Sequence, residues 1–212
     1  NQLVANTYVA EPQAQLIEVG GNQGAVRDTI SLLRNTKHIN VTLREVQDPQ
    51  DMDVANYDFQ ITDKNAALLW NNVVDESTPL VYTPYKTWNS LDRTAAPQRK
   101  HGNKQAAEAS VGKIAHVNFM TSRILYHTHA AADAILQITH RPTGAVIAKV
   151  NLPDMLSRLR VSADIYRYTP QQFLDRGYDY DLSFFLADGK LKYINISISI
   201  LGWSRRIQVE EL

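Results

Sequence analysis

The chain has no cysteine. That excludes disulfide staples and thiolate chemistry, and any lipid-carrying cysteine would have to lie upstream of Asn1. It has no excess of charge either: 22 basic and 22 acidic residues among 212 leave no net field to draw in a nucleic acid or an anionic membrane. The densest basic run, Arg99-Lys100 with Lys104, sits in the polar stretch PQRKHGNKQAAEAS and reads as a solvated loop. No run approaches the ~20 apolar residues that span a bilayer, and the first residues lack the charged-then-apolar order of a signal peptide. Also missing are a glycine-rich phosphate loop, a GxSxG elbow and an HExxH pair. No cofactor and no catalysis are expected.

What is present is alternation. In YINISISILGW, Ile194, Ile196, Ile198 and Ile200 fall on one side while Asn195, Ser197 and Ser199 fall on the other, the period of a β-strand. Ile39, Val41 and Leu43 alternate in the same way, as do Tyr57, Phe59 and Ile61. Leu68 to Trp70, Leu80 to Tyr85 and Lys113 to Met120 give further strand-like segments, and a long loop is expected from about Asn89 to Ser110. Arg141-Pro142-Thr143-Gly144 predicts one hairpin, and Asp188-Gly189 predicts another between Tyr178–Leu186 and Leu191–Leu201. Pro153 opens a short helix with Leu152, Met155, Leu156 and Leu159 on one face. Thr169-Pro170-Gln171-Gln172 opens a second with a capping box. Eight to ten short strands with two short helices make an all-β sandwich.

Three groups of residues could carry chemistry. His127 and His129 have strand spacing that zinc accepts, with Asp133 as a conceivable third ligand, but HTHAAAD reads equally as a surface loop, so no metal is assigned. Asp48, Asp51 and Asp53 resemble half of a calcium loop without its glycine and distal glutamate. Asp179 and Asp181 share one strand face and could be imagined as an acid and base pair, or simply as the polar side of a strand. Trp70, Trp88 and Trp203 could stack on sugar rings or complete a core.

The ordered set LLRNTKHINVTL, YDFQITDKNAALLWNN, LVYTPY, TSRI and YDYDLSFFLADGKLKYINISISILGWSRRIQ resembles the C-terminal half of the FimB-type fimbrillin-associated anchor subunits of Bacteroidales fimbriae. The resemblance implies tandem β-sandwich domains of transthyretin-like, Greek-key type. It also implies export as a lipoprotein to the outer membrane and a place in a cell-surface fimbria as anchor or other minor pilin. Residues 1–24 would be the stub of a missing N-terminal β domain, or this member is shorter. Residues 25–212 would be the C-terminal sandwich. The partners would be other pilins, bound by strand addition, and the membrane would be reached only through an upstream lipid anchor. Asn195, Ser197, Ser199 and Trp203 are the interaction candidates. Their face is covered either by a neighbouring domain or subunit, or by the chain's own loop over a central strand. A carbohydrate-binding or adhesive sandwich is the alternative.

Overall fold

The structure, a computed structural model, describes residues 8–10, 32–46, 52–92, 112–128, 132–160, 167–200 and 203–210. Two sheets form a sandwich around one apolar core. The larger sheet has six strands. Its middle is β3 (Lys37–Glu45), flanked on one side by β9 (Gly112–Thr121) and β8 (Lys86–Asp92). On the other side lie β12 (Asp179–Ala187), β13 (Lys190–Ile200) and β14 (Trp203–Glu210). All neighbours are antiparallel except β12 and β3, which run parallel. The smaller sheet has four strands in the order β11 (Ala145–Asn151), β10 (Ile135–His140), β4 (Tyr57–Asp63), β7 (Leu80–Tyr82). Two short ladders stand apart, β1 (Tyr8–Ala10) with β2 (Leu32–Arg34) and β5 (Ala67–Leu68) with β6 (Val74–Asp75).

Period-2 patterning explains the layering. On β3 the buried residues Ile39, Val41 and Leu43 face inward, and the same parity on β12 and β13 buries Tyr180, Leu182, Phe184, Ile194, Ile196 and Ile198. Phe59, Ile61, Leu136, Ile138, Ala148 and Val150 close the core from the smaller sheet. At roughly 1.5–3 kcal/mol per buried large aliphatic or aromatic side chain, this shared core dominates the stability of the sandwich. Helix α1 (Leu152–Ser157) begins at Asn151, whose side chain accepts from Asp154 N, and buries Leu152, Met155 and Leu156. Helix α2 (Pro170–Arg176) carries the expected capping box between Thr169 and Gln172. In the Asp188-Gly189 turn both residues take positive φ, 52° and 71°, so the β12–β13 hairpin turns as type I′.

The described residues hold fourteen strands, more than the expected eight to ten; nine of them span six residues or more. Of the five very short strands, β5 and β7 fall in or at the edge of expected segments, while β1, β2 and β6 had no alternation to announce them. The expected long loop starts later than Asn89, because Asn89–Asp92 pair with Gly112–Ala115 as the end of β8; residues 93–111 are outside the described set. The domain boundary at residue 24 is also outside it.

Candidate interaction site

The β13 strand is not an edge. β13 is paired with β12 along one side and with β14 along the other, so its backbone offers no free hydrogen bonds to an incoming strand. The strand is central because of β14, a charged segment, WSRRIQVE, that alternation alone did not mark as a strand. Trp203 sits at its first position, paired with Ile200. The side chains of Trp203 and Ser199 are outside the described residues.

The small polar face of β13 belongs to a wider one. Asn195 lies beside Ser183 of β12 and Ser197 beside Asp181. Asn40 and Thr42 of β3 continue these rows, followed by Asn118 and His116 of β9 and by Lys86 and Trp88 of β8. Neighbouring side chains screen one another across this breadth, so Asn195 is only 7% exposed and Ser197 is half-buried. Many of the polar groups bond laterally: Asn40 donates to Asp181 at 2.9 Å, while the His116 ring bonds Thr42 Oγ1 at 3.3 Å and Ser90 Oγ at 2.7 Å. Trp88, 37% exposed, stacks on His116 at 4.9 Å, and Lys86 Nζ lies 4.9 Å from its ring centre.

The smaller sheet stops short of its partner. β11 lies against β13 and β7 against β9, so β14 and β8 overhang on opposite sides. The β8 overhang is roofed by the turn Val54–Asn56, pinned where Asn89 accepts from Val54 N at 2.9 Å and donates to Asp53 at 3.1 Å. The β14 overhang instead opens into a cavity of about 640 Å³ lined by Ile147, Ala148, Lys149, Leu191, Lys192, Tyr193 and Val209. Among the described residues the outer edge of β11 pairs with no strand. A register shift opposite Ile138/Thr139 places a bulge near Ile147, which leaves the regular end, Ala148–Asn151, as the pairing-competent part.

The catalytic and metal candidates are held by ordinary structural contacts. His127 is clamped between carboxylates, Nδ1 to Asp133 at 2.8 Å and Nε2 to Glu76 at 2.9 Å, and both ring nitrogens are thereby engaged. His129 is outside the described residues, among which no cluster of potential ligands is arranged for a metal ion. Asp53 caps the Val54 turn by accepting from Ala55 N, a bond that holds its carboxyl below the usual range; Asp48 and Asp51 lie outside the described set. Asp179 meets His38 and Asp181 meets Asn40, two separate contacts rather than an acid and base pair. Burial pushes the Asp63 carboxyl up to about 6, and its Oδ2 has no hydrogen-bond partner.

Sequence reasoning also missed Lys37. It is buried, with Nζ donating to the carbonyls of Leu174 at 2.6 Å and Gly177 at 2.7 Å at the end of α2. Burial lowers it to about 7. The signal was available: Lys37 shares the parity of Ile39, Val41 and Leu43, and a lysine on an inward face needs acceptors.

The model of the fimbrillin-A associated anchor proteins Mfa1 and Mfa2 matches residues 10–209. The chain belongs to this family. Among solved structures, this family member resembles a proposed adhesin of Bacteroides thetaiotaomicron, at 24% identity and a TM-score of 0.63, over 85% of this chain and 55% of that one. It resembles proposed polysaccharide-binding proteins of the same organism at 23% identity and a TM-score of 0.54, over 85% and 54%. It resembles the fimbrial anchor protein Mfa2 of Porphyromonas gingivalis at 16% identity and a TM-score of 0.50, over 93% and 58%. At these identities the likeness is one of fold, and the chain spans little more than half the length of the solved proteins it matches. No curated protein matches it.

Proposed function

We propose that this protein is a structural subunit of a cell-surface fimbria, an anchor or other minor pilin, that works by binding other fimbrial subunits and performs no chemistry. Family membership supports the class, and the observation that carries the mode of binding is the open corner between β11 and β14. There the smaller sheet ends one strand short over a strand of the larger one. An extended segment from another subunit, paired along Ala148–Asn151, would fill the cavity with alternate side chains while its backbone extends the sheet. Lys149 and the bulge near Ile147 keep the edge from pairing indiscriminately. Attachment to the outer membrane would come from a lipid anchor upstream of this chain.

Native mass spectrometry of the purified chain with purified fimbrial subunits of the same organism tests this. A one-to-one complex is expected, and Ile147→Asp, which puts a charge into the cavity, should abolish it while leaving the circular dichroism spectrum unchanged. Absence of any complex with the native chain would reject the assignment.

A carbohydrate-binding or adhesive module draws support from the exposed Trp88 beside a broad amide and hydroxyl face and from the resemblance to proposed polysaccharide-binding proteins. Against it, the Trp88 ring is stacked on His116 and approached by Lys86 Nζ, which take up part of the surface a sugar ring would use.

A further inference from the structure

The most exposed large apolar side chain among the described residues is Trp70, at 88%. It sits at the tip of the β5–β6 hairpin with Leu69 and Val73, each about half exposed. Three large apolar groups held together in water are unfavourable unless something covers them. The hairpin is also rigid. Leu69 N donates to Val73 O at 2.8 Å and Asn72 N to Leu69 O at 2.9 Å. Asn72, at φ 64°, accepts from the Asn35 amide at 2.6 Å, and its carbonyl accepts from Arg123 at 3.1 Å. Arg123 is itself forked onto Asp175 at 2.8 and 2.7 Å.

We propose that Trp70, flanked by Leu69 and Val73, is a preformed knob that inserts into an apolar pocket with a basic rim on another fimbrial subunit; this rests on the fimbrial-subunit reading above. The chemistry around the tip selects that occupant. A sugar would need hydrogen-bonding groups beside the indole, but the Asn72 side-chain oxygen is buried on Asn35 and the Asn71 Oδ1 accepts from Val73 N at 3.2 Å. An anionic bilayer would need cations beside it, whereas the charges that follow the tip are Asp75 and Glu76, with Glu76 paired to His127 and Arg123 committed to Asp175. A protein pocket suits what remains. Tryptophan dominates interface hot spots, a turn already fixed loses little freedom on docking, and the partly exposed Asp75 carboxylate complements a basic rim.

The test measures binding of the purified chain to immobilised, purified fimbrial subunits of the same organism, as native protein and as Trp70→Ala, Trp70→Phe and Val73→Asp, with melting temperatures alongside. Trp70→Ala and Val73→Asp should bind about thirtyfold more weakly, the size of a hot-spot loss, with melting unchanged, and Trp70→Phe should retain most of the affinity. Native-like binding by Trp70→Ala would overturn the knob while leaving the subunit assignment standing. A native chain that binds none of the subunits would reject that assignment, and the knob with it. Trp70-dependent binding to phosphatidylcholine–phosphatidylglycerol vesicles, with a blue shift of indole emission, or to a glycan array would overturn the knob in favour of lipid or sugar.

Discussion

Single residues show where this sandwich carries cost as well as stability. Asp63 is buried with one carboxyl oxygen unpartnered, and burial raises it from 3.8 to about 6. His127 opposes that shift, while Glu76 and Asp133 add to it. Because the folded value is the higher, the fold favours the protonated acid, and that contribution is lost as pH rises from about 4 to about 6. Asp63→Asn is therefore expected to be more stable than the native protein by about 2 kcal/mol at pH 7.5, with the gap closing at pH 4. Urea midpoints at the two pH values check it; an equal gap at both would show that ionisation is not the cause. Lys37 is the opposite kind of buried charge. Its partners are backbone carbonyls at the end of α2, so it ties that helix to the first residue of β3.

At the scale of elements, the junction between α2 and β12 turns on Gly177. A Cβ there would overlap the Tyr180 hydroxyl and come within 2.6 Å of the Ile198 side chain. Gly177→Ala should cost about 1–3 kcal/mol, the usual range for overpacking, as seen in a thermal melt. Removing the Tyr180 hydroxyl, which is buried without a partner, should recover part of the loss in the Tyr180→Phe double variant. No recovery would mean that the crowding comes from Ile198 alone. Elements set by local chemistry were legible in the sequence: the Asp188-Gly189 hairpin, the Thr169 capping box, and the inward parity of Ile39, Val41, Leu43 and the β13 isoleucines each depend on residues a few positions apart. What was not legible depends on distant pairing. The parallel contact of β12 with β3 joins segments about 140 positions apart, Glu76 reaches His127 from another loop, and whether β13 is central depends on β14 pairing along its outer side. Trp70 was noticed, but nothing nearby in the sequence tells an exposed tryptophan at a hairpin tip from one that completes a core.

For the whole molecule, the unequal sheets are the feature that links fold to assembly. Six strands face four; one overhang is closed by the Val54 turn and Asn89, and the other is left open beside β11. On the polar face that includes Asn195 and Ser197, Asn40 bonds Asp181, and the His116 ring bonds Thr42 and Ser90. The β11 corner and the Trp70 tip are the surfaces proposed for assembly. Hydrogen–deuterium exchange of the purified chain, alone and in complex with another fimbrial subunit, tests this most directly. Slowed exchange of the β11 amides over Ala148–Asn151, with β13 unchanged because its ladder is already complete on both sides, is the predicted result. A complex that forms while β11 exchanges at its free rate would contradict strand addition at this corner.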